Sequence, residues 1–109
     1  MNTIAVDAMG GDSAPIDIVK GAIKAKEQGV DVVLCGDKDL INPYLENYEI
    51  PVFDFPQVIS MDEDPLRAIR NKKNASIVGC MQLLKDKKVQ AVFSAGSTGA
   101  TLISAISIL

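Results

Sequence analysis

Two glycine-rich loops in this sequence carry residue types that suit binding of an anion. The first is Asp7-Ala8-Met9-Gly10-Gly11-Asp12, and the second is Ser94-Ala95-Gly96-Ser97-Thr98-Gly99. Glycine allows positive φ and lets the backbone approach a ligand closely. The amides at a helix N-terminus carry a partial positive charge, and the hydroxyls of Ser94, Ser97 and Thr98 add donors. The two loops therefore predict binding of phosphate or a similar anion.

The residues of these loops also fit a plainer interpretation, in which both are ordinary strand-to-helix turns. Neither loop contains the Gly-Lys-Ser/Thr of a P-loop, the G-x-G-x-x-G of dinucleotide-binding folds or the G-x-S-x-G of hydrolases. Asp7 and Asp12, which flank the first loop, are candidates for acid-base catalysis or for binding a ligand hydroxyl. Aspartates in such positions also fix turns through side-chain hydrogen bonds, so both alternatives stay open.

A third candidate is a basic stretch that contains Arg67, Arg70, Lys72 and Lys73. Arginine binds phosphate bidentately and lysine acts as a point charge. The alternative is a solvated charged face, partly balanced by the preceding acidic run at 62–64. The net charge is −3 and no aromatic residue interleaves with these cations, so we expect no nucleic-acid partner.

Composition narrows the chemistry further. The 109 residues include no histidine, which excludes a Ser-His-Asp triad and most zinc sites within this segment. Cys35 and Cys80 lie in apolar stretches and are predicted to be buried free thiols, as in a reducing cytoplasmic compartment. We expect neither a metal nor a cofactor. The first residues do not resemble a signal peptide, and the longest apolar stretch is too short to span a bilayer.

The elements that must position these loops alternate along the chain. Apolar runs predict strands at 4–6, 30–35, 50–55 and 89–93, and the prolines around the third indicate an edge strand. Helical spacing predicts helices after the first and second strands, a brief helix after Pro65, another from Asn74 or Ser76, and a last one from Ala100.

The expected helix ends are also specific. Ser13 is predicted to cap the first helix and Asn74 or Ser76 the fourth, while Gly29 suits a helix end. Pro43 either kinks the second helix or moves its start. The order of elements predicts an α/β fold with a mostly parallel sheet, in which ligands bind at the carboxyl ends of strands. Because 106–109 is apolar and uncapped, we expect an incomplete domain, truncated at its C-terminus.

Several segments resemble one family, the bacterial phosphate acyltransferases of phospholipid synthesis. Residues 4–12 with Ala14-Pro15 resemble its opening signature, residues 58–76 its second conserved stretch, and residues 94–100 its third. The segments follow in family order and at family spacing. The chain departs from the pattern at Ser97, where the family usually has Asn, and at Ala75, where it usually has Ser.

The resemblance implies a three-layer α/β/α sandwich, akin to the isocitrate and isopropylmalate dehydrogenases, with residues 1–109 as the N-terminal part of one acyltransferase domain. It implies transfer of a fatty acyl group from acyl carrier protein to inorganic phosphate, giving acyl phosphate. The full-length protein is expected to be a cytoplasmic homodimer that reaches the membrane peripherally, through the membrane glycerol-3-phosphate acyltransferase that uses its product. The alternatives are a related phosphate acetyltransferase-like enzyme and an inactive phosphate-binding fragment.

Overall fold

A parallel β-sheet forms the centre of the computed structural model, which describes residues 2–109. Its strands are β1 Thr3–Asp7, β2 Asp31–Gly36, β3 Val52–Asp54 and β4 Ala91–Phe93. The spatial order is β3-β2-β1-β4, and each neighbouring pair is parallel. The predicted parallel sheet is confirmed, and the third strand lies at an edge as the flanking prolines indicated. The first and fourth strands, which precede the two glycine-rich loops, are direct neighbours.

Across residues 2–109, five α-helices connect or follow these strands. They are α1 Ile16–Glu27, α2 Lys38–Ile41, α3 Pro65–Asn71, α4 Ser76–Lys85 and α5 Thr98–Ile108. A 3₁₀ turn at Asn42–Tyr44 follows α2 directly, with Pro43 inside it. The second helix therefore starts before Pro43, and the proline marks its change into a tighter turn. None of the helices within residues 2–109 has the length and apolar character needed to cross a membrane.

Helices cover both faces of the sheet because side chains alternate along each strand. Val6 belongs to a cluster with Val19 of α1 and Ile41 of α2 on one face. Its neighbour Ala5 belongs to a second cluster, with Cys80 of α4 on the other face. Helices α3, α4 and α5 share a third apolar cluster beside the second. The result is the predicted three-layer α/β/α arrangement.

One helix end follows the prediction and rests on a specific backbone geometry. Gly29 has φ of 88° and directly follows the last residues of α1. Its amide donates to the Lys26 carbonyl at 3.0 Å, and the Val30 amide donates to the Ala25 carbonyl at 3.0 Å. This pair of bonds is the Schellman motif, which needs a left-handed residue at the glycine position.

The predicted caps of α1 and α4 are wrong. The residue that precedes α1 is Pro15, and no side chain caps the helix, because Ser13 lies earlier in a turn. Ala75 occupies the corresponding position before α4, again without a side-chain cap. Asn74 instead pairs with Gln57, whose side chain accepts the Asn74 amide at 3.0 Å. The Ser76 hydroxyl is engaged elsewhere, as described below.

Candidate functional site

The two glycine-rich loops meet at the carboxyl end of β1 and β4. A β-carbon placed on Gly10 would lie 2.8 Å from the Gly96 nitrogen and 3.0 Å from its Cα. A β-carbon on Gly11, whose φ is 96°, would lie 3.2 Å from the Ala95 carbonyl oxygen. Only glycine allows this approach at Gly10, because any side chain there would force the loops apart. The loops therefore form one structure and share one crevice.

The Asp7 carboxylate holds this arrangement together from below. It is 3% exposed. Its Oδ1 accepts from the Met9 amide at 3.1 Å and from the Ser76 hydroxyl at 2.5 Å. Its Oδ2 accepts from the Ser94 hydroxyl at 2.8 Å. One side chain thus joins β1, the start of α4 and the loop after β4, which supports the turn-fixing interpretation of Asp7.

The N-terminus of α5 completes the second loop. Ser97 caps the helix, because its hydroxyl accepts the Ala100 amide at 3.1 Å. The Ser97 carbonyl accepts the Thr101 amide at 3.0 Å. A helix leaves its leading amides without partners inside the helix, so those of Thr98 and Gly99 stay available to another acceptor. A serine thus supplies the cap of this helix.

A cleft opens where the loops face the segment between β3 and α3. Its inner crevice has a volume of about 10 Å³, room for about one water, and the outer cleft one of about 200 Å³. Asp7, Ser76 and Ser94 line only the inner crevice. The outer cleft is lined by Met9, Gly11, Asp12, Val58, Ile59, Ser60, Met61, Gly96 and Ser97. A ligand larger than water therefore has its space beside Gly11, Gly96 and the 58–61 segment.

Some of the predicted site residues line the crevice or the outer cleft, and others do not. The structure brings together Asp7, Gly10, Gly11, Asp12, Ser94, Gly96 and Ser97. Asp12 is exposed at the cleft, whereas Asp7 is buried beneath it. Thr98 and Gly99 belong to the first turn of α5 outside the cleft lining, and a β-carbon on Gly99 would lie 2.7 Å from Cγ of Pro65.

The four predicted cations lie outside both parts of the cleft lining. Arg67, Arg70 and Lys73 are exposed on α3 or just after it. Lys72 is instead bonded to its own surroundings, with its Nζ 2.5 Å from Glu63 Oε1 and 2.8 Å from the Val58 carbonyl oxygen. Glu63 Oε1 also accepts the Ser60 amide at 3.2 Å. Lys72 therefore fastens the outer wall of the cleft to α3.

This ion pair also changes the chemistry of its carboxylate. The hydrogen bond from the Lys72 ammonium, aided by that from the Ser60 amide, lowers the pKa of Glu63 below its usual value. The ionised form of Glu63 is thus the one that holds the wall in place.

Sequence reasoning missed two contributors to the site. Ser76 was expected to cap a helix, but its hydroxyl reaches Asp7 across 69 positions of sequence. The 58–61 segment was expected to be part of a connection, but it forms one wall of the cleft. Local spacing gives no signal for either contact. The only signal for them was that both lie in the second stretch of family resemblance.

The two cysteines lie outside the cleft lining, in the apolar core. Both are fully buried, free and part of the cluster between the sheet and α4. A hydrogen bond with the Cys35 thiol, together with burial, raises the pKa of Cys80. A thiol with a raised pKa is a poor nucleophile. The cysteines are therefore structural residues of the core.

Known proteins are similar in sequence to this chain over nearly its whole length. The family described as fatty acid synthesis protein matches residues 2–109. A phosphate acyltransferase of Gloeothece citriformis is 50% identical over 108 residues, which cover 94% of this chain and 31% of that protein. Phosphate acyltransferases of Desulforamulus reducens and Syntrophomonas wolfei are 47% and 46% identical, over 100% and 97% of this chain and 34% and 35% of theirs. The chain thus spans about a third of the length of these curated relatives.

Proposed function

We propose a function from one premise, that this chain belongs to the family of fatty acid synthesis proteins. The relatives named above are acyltransferases that act with phosphate, as their names state. We propose that the full-length protein transfers a fatty acyl group from acyl carrier protein to inorganic phosphate in phospholipid synthesis. In this proposal residues 1–109 supply the phosphate side of the active site, and the remaining two thirds of the relatives' length supplies the rest.

One observation supports the assignment of phosphate to this segment more than any other. Gly10 and Gly96 touch at the ends of two adjacent parallel strands, beside the N-terminus of α5. Backbone amides at such a position provide donors and a partial positive charge without a cation. The outer cleft lies directly against Gly11, Gly96 and Ser97. A phosphate held there would contact glycine backbone and the helix terminus.

The proposed reaction needs no nucleophile from the protein. A phosphate oxygen attacks the thioester carbonyl, the new C–O bond forms, and the C–S bond breaks. The thiolate of the carrier leaves and takes up the proton that hydrogen phosphate loses. The work left to the protein is to hold phosphate beside the thioester and to stabilise the oxyanion. This fits a site without histidine and with unreactive cysteines.

Asp7 acts in this proposal as a positioning residue. Its bonds to Ser76 and Ser94 fix the distance between the two loops, and it lines the inner crevice rather than the larger cleft. Asp12, which is exposed on the outer cleft, contacts substrate in this proposal. These roles differ enough that substitutions at the two aspartates separate them.

The experiment is to incubate the full-length protein with inorganic phosphate and either palmitoyl-acyl carrier protein or acetyl-CoA. The free thiol that the donor releases is measured with and without phosphate. We expect thiol release that requires phosphate, and faster release with the long acyl chain on its carrier. Faster reaction with acetyl-CoA would instead support a phosphate acetyltransferase. Absence of product from both donors would refute the proposed function.

A further inference from the structure

The exposed face of α3 combines cations with apolar side chains next to the cleft. Arg67, Arg70 and Lys73 are exposed there. Val58 and Met61, on the neighbouring segment, are 40% and 58% exposed. Isolated exposed apolar residues are common, but these two also line the outer cleft. We name this surface, formed by Arg67, Arg70, Lys73, Val58 and Met61, the carrier face.

Packing fixes the carrier face relative to the cleft. Ala68 and Ile69 are buried on the opposite side of α3, and Ile69 shares an apolar cluster with Ala100 of α5. Pro65, the first residue of α3, lies against Gly99 in the first turn of α5. Both helices are thus anchored to each other at the ends that adjoin the cleft. A partner docked on α3 would therefore be held at a fixed distance from the proposed phosphate position.

The charge pattern of α3 distinguishes one lysine from the three cations of the carrier face. Lys72 is neutralised by Glu63. Within residues 2–109, neither Arg67, Arg70 nor Lys73 has a carboxylate oxygen within 4.0 Å, so their charges face solvent. Unpaired cations at the rim of a site steer an oppositely charged partner and raise its association rate. The three cations outnumber the two exposed carboxylates of the adjoining acidic run, Asp62 and Asp64, although the chain as a whole has a net charge of −3.

We propose that the carrier face docks the acidic protein that carries the acyl donor, a proposal that rests on the proposed function. Acidic side chains of the carrier pair with Arg67, Arg70 and Lys73. The thioester-bearing arm then passes over Val58 and Met61, whose apolar side chains line the way into the outer cleft. The thioester carbonyl arrives beside Gly11 and Gly96, where phosphate is held. This occupant accounts for both the charge and the apolar residues of the surface.

The test compares two charge reversals in the full-length protein, R67E/R70E and the control K20E/K24E. Lys20 and Lys24 are exposed on α1, in the layer on the other face of the sheet. For R67E/R70E we expect the KM for palmitoyl-acyl carrier protein to rise about tenfold at low salt, with a weaker salt dependence. The KM for palmitoyl-CoA, which brings no carrier protein, should rise by no more than about twofold. K20E/K24E should leave both values within about twofold.

Direct binding separates this proposal from the proposed function. The Kd of fluorescently labelled acyl carrier protein is measured by anisotropy, which needs no turnover. Weaker binding of the carrier by R67E/R70E, but not by K20E/K24E, supports the carrier face even if no acyl phosphate forms. The proposal of a carrier face would be overturned if R67E/R70E left the Kd for acyl carrier protein unchanged, or if it raised the KM equally for both acyl donors. It would also be overturned if R67E/R70E no longer sedimented with vesicles of phosphatidylglycerol but still bound the carrier, since the cations would then contact lipid.

Discussion

Replacing Asp7 by alanine should destabilise this chain, because the carboxylate joins three parts of the site. The substitution removes the acceptor for the Met9 amide, the Ser76 hydroxyl and the Ser94 hydroxyl. Ser76 is 4% exposed and the Met9 amide is buried, so both donors lose their acceptor away from bulk solvent. Each buried donor left unsatisfied costs about 1–3 kcal/mol. Ser94 is half-buried and can turn toward solvent.

Loss of the acceptor for the Met9 amide and the Ser76 hydroxyl should lower the free energy of unfolding by about 3 kcal/mol. This is less than twice the largest single cost, because removing the buried charge of Asp7 offsets part of it. A domain of this size is stable by only about 5–15 kcal/mol in total, so the change is large. Urea unfolding followed by circular dichroism measures it, as a fall of about 2 M in the midpoint at constant slope.

The matched control for this prediction is Asp12→Ala, because Asp12 is an exposed carboxylate on the same loop. It should change stability by less than about 0.5 kcal/mol. Equal midpoints for the two variants would refute the reasoning, because they would mean that the bonds of Asp7 contribute nothing net to folding.

Two further substitutions test the packing and the cleft wall. Gly79→Ala should destabilise the chain by about 2 kcal/mol in urea unfolding, because its β-carbon would clash with the Phe55 ring. Gly21→Ala, which meets open space on α1, should be neutral or stabilising. Greater destabilisation by Gly21→Ala than by Gly79→Ala would contradict the packing. Lys72→Met should return the lowered pKa of Glu63 toward its usual value, measured by NMR titration of the carboxyl carbon. The ion pair stabilises the fold at pH values above the pKa of Glu63 in the unfolded chain, and this stabilisation is lost as the pH falls through the pKa of Glu63 in the folded chain. A Glu63 pKa that Lys72→Met leaves unmoved would contradict the ion pair.

Strands and their order along the chain could be predicted from sequence because their signals are local. The run at 30–35 is apolar except for Asp31, which is typical of a strand buried on both faces. The glycine at position 29 ends a helix through its own backbone conformation. The location of both loops at one edge of the sheet could also be predicted, since parallel strands place their carboxyl ends at the same edge. That the two loops touch depends on the adjacency of β1 and β4, which the structure shows.

Other contacts could not be predicted because they join residues that are distant in sequence. The bond from Ser76 to Asp7 depends on how α4 packs across the sheet, and the hydroxyl serves the carboxylate rather than its own helix. Lys72 resembles its neighbouring cations in sequence, yet it alone reaches Glu63 and the Val58 carbonyl. Side-chain type identified these groups as candidates for chemistry, and tertiary packing decided which of them are structural.

The central claim is that the loops after β1 and β4 together bind phosphate. The most direct test is the phosphate KM of Gly10→Ala in the full-length protein, with Gly21→Ala as control. An alanine at position 10 would press on Gly96 and on Asp7 Oδ2, which lies 2.9 Å from the new β-carbon, and so part the loops. We predict a phosphate KM raised at least about tenfold, a loss of about 1.4 kcal/mol, with the KM for the acyl donor within about twofold. An unchanged phosphate KM in a folded Gly10→Ala protein would contradict the claim.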